Sequence, residues 1–212
     1  MALVKPVASP DQSAPPPEPH DRATLLAELG DDSPAVRRRA AHDLAGTGAP
    51  WAVAALCARA GVEVDDTVRE SILTVMMGCR SRATVEGLLP YLASPNPSLR
   101  NGVVDVLRVM AEAVGPHVDG ILRNQDAAVR LMGIDLLVGL HDARVPAWLV
   151  GVIERDDDLN VCAAAVDALA EIGEPAAVPA LKAVLERFPA VPFLEFAVRT
   201  AIARIGNSKG GA

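Results

Sequence analysis

The sequence predicts an all-α fold of the α-solenoid kind, a superhelical stack of six helix pairs behind a disordered N-terminal tail. Three observations carry that prediction. A valine or leucine recurs at Val36, Val68, Leu99, Val129, Val161 and Leu194, 30 to 33 residues apart and followed by arginine at the first four. A period of that length is the signature of stacked repeats. Hydrophobic residues make up 50% of the chain but aromatics only 3%, a mixture of Ala, Leu and Val that suits close-packed helices better than a barrel or sandwich. Each anchor also follows a turn rich in Asp, Asn, Ser or Pro, the residues that start helices.

Residues 1–21 form the tail. "PVASPDQSAPPPEPH" has too little apolar surface to order itself, although "APPPEP" offers a short polyproline II stretch. Residues 22–206 hold the repeats. Their second helices read "DDSPAVRRRAAHDL", "DDTVRESILTVM", "NPSLRNGVVDVL", "DAAVRLMGIDLL" and "DDLNVCAAAVDAL". The last, "PFLEFAVRTAIARIG", aligns through Ile205-Gly206 with Ile172-Gly173. A second register lies between the anchors, at Val53/Leu56, Val85/Leu88, Val118/Ile121, Val145/Trp148 and Val178/Leu181. Each unit is therefore expected to hold a short apolar helix, a capping turn and a longer second helix. The Gly and Pro of "GTGAP", "AVGP" and "IGEP" are expected to close the second helices. Residues 207–212 form a flexible end.

The repeated "D-x-x-V-R-x-x-A/V-x-x-x-L" of the second helices and the "G-x-x-x-A-V-P-x-L" that opens a pair, clearest in "EIGEPAAVPALKAVL", resemble the HEAT-like repeat family. The similarity is to its short bacterial form, named after the phycobilisome lyase proteins. It covers nearly all of the chain after the tail and implies the solenoid, while the same solenoid serves many functions. Members of that group act as paired lyase or chaperone subunits on phycobiliproteins. The resemblance thus offers an accessory lyase- or chaperone-type subunit as the alternative to a plain scaffold.

The candidate site comes from "DAAVRLMGIDLLVGL", residues 126–140, which is apolar nearly all round. On a helix turning about 100° per residue, Val129, Gly133, Leu136, Leu137 and Leu140 share one stripe facing the partner helix, with Met132 and Ile134 on the stacking flanks. Leu131, Asp135 and Val138 are left pointing outward, onto the concave face that second helices line. The outward positions of the first three units are polar or charged. Those of the last three are aliphatic or aromatic with a row of carboxylates. Leu131, Val138 and Phe196 are expected anchors for an amphipathic or extended protein segment, Asp105, Asp135 and Asp167 selectors of its basic side chains, and Met77 a further contact. A second reading of the Asp row stands beside this one, in which it ties one repeat to the next, for instance Asp105 to Arg130.

Other chemistries find little support. The net charge of −7 opposes a nucleic-acid binder, and "RRR" at 37–39 points three ways on a helix. HEAT-repeat hydroxylases carry repeated His-Glu pairs, but here the pairs are His-Asp, at His20, His42 and His141, and share no register. Cys57, Cys79 and Cys162 are too scattered for a disulfide framework or zinc ribbon and read as structural. No Gly-rich phosphate loop or Ser-His-Asp set is present. The start lacks the apolar core of a secretory signal. No apolar run reaches the roughly 18 residues of a membrane span. The expectation is a soluble, cytoplasmic, bacterial scaffold or adaptor, not an enzyme, with no cofactor or metal, holding a protein partner.

Overall fold

Helices begin where the turns supply a side-chain acceptor for the unpaired N–H groups of the first turn. Asp65 accepts from the N–H groups of Thr67 and Val68, Asn96 from Ser98 and Leu99, Asp126 from Ala128, and Asp158 from Asn160 and Val161. Asp21 does the same for Thr24. Pro34 and Pro97 sit in the first turn, where a missing N–H costs nothing.

The computed structural model describes residues 21–140 and 142–207. The expected Pro-rich tail, the last five residues, and His20 and His141 lie outside the described residues. Among the described residues there are helices and short 3-10 turns, and no strand. In chain order the helices are α1 (Arg22–Leu29), α2 (Pro34–Thr47), α3 (Pro50–Val62), α4 (Asp66–Met76), α5 (Arg82–Leu88), α6 (Pro97–Arg108) and α7 (Ala111–Val114). They continue as α8 (Val118–Leu122), α9 (Ala127–Val138), α10 (Val145–Arg155), α11 (Leu159–Ile172), α12 (Val178–Arg187) and α13 (Pro192–Asn207). Helices α2, α4, α6, α9, α11 and α13 pack in succession as one layer, and α1, α3, α5, α7–α8, α10 and α12 form the other. This is an α-solenoid of six units, as the period requires.

The anchors Val68, Leu99, Val129, Val161 and Leu194 are buried, and Val36, in the first described unit, is half-buried. Gly133 earns its place by close approach. A Cβ there would lie 2.6 Å from Cγ2 of Ile121 and 3.1 Å from Cδ2 of Leu122, so any side chain would push α8 off α9.

Three expectations need correction. Trp148 is half-buried under the guanidinium of Arg144, and Leu149 takes the core position instead. Gly115 of "AVGP" does not end α6, which stops at Arg108; it opens a 3-10 turn after α7. Pro116 and Pro90 lack the N–H a helix needs, so the first-layer helices of units three and four break into short pieces. In unit two the first helix is the longer one, 13 residues against 11.

The arginine after each anchor has one job throughout. It turns back to the carbonyl six residues earlier, in the turn between paired helices. Arg37 donates to the carbonyls of Asp31 (2.8 Å) and Asp32 (3.0 Å), Arg100 to Ser94 (2.6 Å), and Arg130 to Asn124 (2.8 Å) and Gln125 (3.1 Å). Arg69 donates to Glu63 in the same way. Two of the four also reach forward to an acid in the next unit's turn. Arg37 meets Glu63 through Nε and Nη2, both at 2.9 Å, and Arg130 meets Asp156 at 2.6 and 2.8 Å. At the matching positions beyond Arg69 and Arg100 stand Ser94 and Asn124, and the buried Nε of each of those arginines has no partner.

Glu63 is the most enclosed of these acids, its side chain having no exposed surface. Burial pushes its pKa up. The hydrogen bonds from Arg37, the Asp65 N–H and Arg59 outweigh that effect and bring it from 4.5 to about 2. Because the folded value is depressed, this stability is present above pH 4.5 and is lost as pH falls towards about 2. Glu63→Gln should therefore cost about 3–5 kcal/mol at pH 7 and flatten the acid limb of the stability profile over that window. Urea unfolding of both proteins at stepped pH measures this, and an unchanged acid limb would contradict it.

Candidate functional site

One face of a second-layer helix looks across to the next, and the same positions recur at two of the seams. Counted from the anchor, residues two, five, six and nine of one helix face residues three and six of the following helix. Between α9 and α11 this places Leu131, Ile134, Asp135 and Val138 opposite Ala164, Asp167, Ala168 and Glu171, around a groove of about 300 Å³. Between α4 and α6 it places Glu70, Leu73, Thr74 and Met77 opposite Gly102 and Asp105, around a second groove of about 360 Å³.

The seven residues singled out from the sequence therefore divide. Leu131, Asp135, Val138 and Asp167 come together in the α9–α11 groove, while Met77 and Asp105 share the α4–α6 groove. Phe196 joins neither. It occupies the second position after its anchor on α13, the position that elsewhere faces a following helix, and at the last unit it is 72% exposed. Leu131 is half-buried, whereas Val138 is 41% exposed.

The Asp row is not uniform: Asp135 ties one repeat to its neighbour, as the structural reading of the sequence has it, but the example pair Asp105–Arg130 does not form. Arg130 is held by Asp156 and does not meet Asp105. Instead Arg108, at the end of α6, bridges Asp105 on its own helix (3.1 Å) and Asp135 on α9 (2.6 Å). Asp167 has no ion-pair partner among the described residues, and neither does Glu171, one turn further along α11. The groove thus carries two unspent carboxylates beside an apolar floor of Leu131, Ile134, Val138, Ala164 and Ala168. Glu171 is not singled out in the sequence, although its i, i+4 spacing from Asp167 marks a shared face; Arg108 counts there only among the polar outward positions of the third unit.

The other candidate groups are occupied or enclosed. Each arginine of "RRR" is engaged: Arg37 by Glu63, Arg38 by the Thr67 hydroxyl (3.1 Å) and Arg39 by Glu28 (3.5 Å). Burial raises the thiol pKa of Cys57 and of Cys162 to about 11 and also raises that of half-buried Cys79. Among the described residues no group of three His, Cys, Asp or Glu could hold a metal ion, and no helix is long and apolar enough to cross a membrane.

Residues 116–191 match the family model for HEAT repeats. No curated protein matches the sequence. Among solved structures the chain is similar to human deoxyhypusine hydroxylase in complex with glycerol, at 14% identity, TM-score 0.43, over 87% of this chain and 84% of that one. It is also similar to the complex of CpcE and CpcF of phycocyanin lyase from a Nostoc species, at 19% identity and TM-score 0.37, over 94% and 100%. A designed armadillo repeat protein aligns at 12% identity and TM-score 0.39, over 85% and 98%.

Two measurements probe this surface. Arg108 and both its acids are about half exposed, so Arg108→Ala should lower stability by less than about 1 kcal/mol in urea unfolding. A larger loss would give the bridge a structural role. Treatment of the native protein with a disulfide dye at pH 8 should label Cys79 first, with Cys57 and Cys162 reacting only on unfolding; fast labelling of either would contradict their burial.

Proposed function

We propose that the chain is a non-catalytic scaffold whose α9–α11 groove holds a basic, amphipathic segment of a partner protein. One observation supports this above the others. Asp167 and Glu171 stand unpaired beside the apolar strip from Leu131 to Val138. An unpaired carboxylate pair next to exposed aliphatic surface complements a helix with Leu- or Met-like anchors and a flanking Lys or Arg. Asp135 and Asp105 play a lesser part, since a partner cation would first have to displace Arg108. Met77 and the α4–α6 groove extend the same surface, while Phe196 lies beyond it.

The alternative, an accessory lyase- or chaperone-type subunit, calls for a reactive group to attach or carry a prosthetic molecule. Cys57 and Cys162 are buried, with thiol pKa values near 11, and burial also raises that of the half-buried Cys79, so none is poised as a thiolate at neutral pH. A scaffold holds its partner unchanged, whereas a lyase-type subunit modifies it and releases it.

A photo-crosslinking amino acid at position 138 tests the scaffold in cells. The captured peptide should carry a basic residue within one helical turn of its apolar anchors. Charge reversal by Asp167→Lys with Glu171→Lys should remove the crosslink while the melting temperature stays within a few degrees of the parent. Capture that survives the reversal, or captured segments without basic residues, would sink the proposal.

A further inference from the structure

A second polar cavity lies away from the groove, on the edge where the turns between paired helices emerge. It measures about 330 Å³ and is walled by Arg123, Asn124, Arg130, Gly151, Arg155 and Asp157. Of its two carboxylates Asp156 is fully engaged, while Asp157 is exposed to solvent and makes one long contact. Asp156, at its base, accepts from Nε and Nη2 of Arg130 and from the Asp158 N–H (3.0 Å). Asp157 accepts from Arg187 at 3.3 Å. Arg130 is committed as well, to Asp156 and to the carbonyls of Asn124 and Gln125.

The unspent groups are donors. Arg123 and Arg155 meet no carboxylate among the described residues. The side-chain oxygen of Asn124 accepts from the Asp126 N–H at 2.9 Å, which leaves its NH2 free to donate. Two guanidinium groups with no carboxylate partner and an amide thus line one cavity, in a chain whose net charge is −7.

Comparison with unit two shows that the repeat does not require this. There the equivalent acid, Glu63, is held by Arg37 and also by Arg59, four residues before it, at 2.7 Å. The residue four before Asp156 is Val152, so no second guanidinium fills the space. Gly151 opens it further. A Cβ at 151 would stand 2.6 Å from Nη2 of Arg155 and 3.2 Å from its Cζ, so the guanidinium lies back against the α10 backbone at the cavity wall. The missing methyl leaves room for that cation.

We infer that this cavity is a phosphoryl-group site, taking a phosphate monoester dianion through Arg123, Arg155 and the Asn124 amide. A dianion matches two unspent cations, and three terminal oxygens suit two planar donor forks and an amide. A monocarboxylate would leave one guanidinium unmatched. The chemistry is the same whether the group is borne on a phosphorylated side chain or on a small organic phosphate.

Titration of the full chain followed by amide NMR tests the site, with inorganic phosphate, N-acetyl-phosphoserine amide, and sodium chloride at matched ionic strength. The phosphoryl probes should give saturable shifts at Asn124, Gly151 and Arg155, and chloride should not. Tighter binding of the phosphoserine probe would identify a protein-borne group, and equal binding a free phosphate; either outcome supports the site. Arg155→Gln should weaken binding roughly tenfold or more, and Gly151→Ala should weaken it by displacing the guanidinium while the helix stays intact. Shifts that do not saturate, that chloride reproduces, or that Arg155→Gln leaves unchanged would overturn the assignment.

Discussion

A solenoid built from helix pairs must bend its chain sharply inside every unit, and each bend leaves carbonyl groups that no helix satisfies. An arginine placed just after the buried anchor supplies the missing donors. Its guanidinium reaches six residues back in units one to four, at Arg37, Arg69, Arg100 and Arg130. The anchor goes into the core, the arginine stem lies along the helix, and the head ties the turn to the helix it precedes. This one contact joins local turn geometry to the packing of the stack, because in units one and four the same head also grips an acid from the next unit.

Where the arginine is absent, the donors come from elsewhere. Unit five has Cys162 at that position. Its thiol donates to the carbonyl of Asp156 at 3.1 Å, and Arg187 from α12 donates to the same carbonyl at 2.6 Å. A thiol with a pKa near 11 keeps the proton it must donate. The departure is thus a rerouting of donors, and it brings Arg187 beside Asp157. That pairing engages one oxygen of the exposed carboxylate at the neighbouring cavity.

Much of this was legible in the sequence because it depends on period and local chemistry. The anchor spacing defines six units, and the capping residues Asp65, Asn96, Asp126 and Asp158 lie where the turns predict. The outward direction of Asp135 and Val138 follows from helical angle alone, and both are exposed. What the sequence hid depends on how one helix sits against the next. Asp135 and Arg108 are 27 residues apart, and their meeting requires the offset between α6 and α9. Phe196 shares a repeat position with Leu131, yet on α13 that position faces no further helix among the described residues. Trp148 occupies the expected register, but its ring lies under Arg144 at 4.7 Å while Leu149 fills the core. Periodicity specifies which residues are equivalent; it does not specify what stands opposite them.

Units four and five carry opposite charges at opposite ends of the same helices. Arg123 and Arg155 precede the N-termini of α9 and α11, whereas Asp167 and Glu171 lie well along α11. From the cap at Asp158 to Asp167 is nine residues, or about 14 Å of helix at about 1.5 Å per residue. That exceeds the Debye length of about 10 Å at 0.1 M salt, so exposed charges at the two ends are largely screened from each other. Neutralising one set does little to the field at the other. The acidic groove and the cationic cavity can therefore act as separate surfaces on one pair of units, and neither needs the other to be empty or filled.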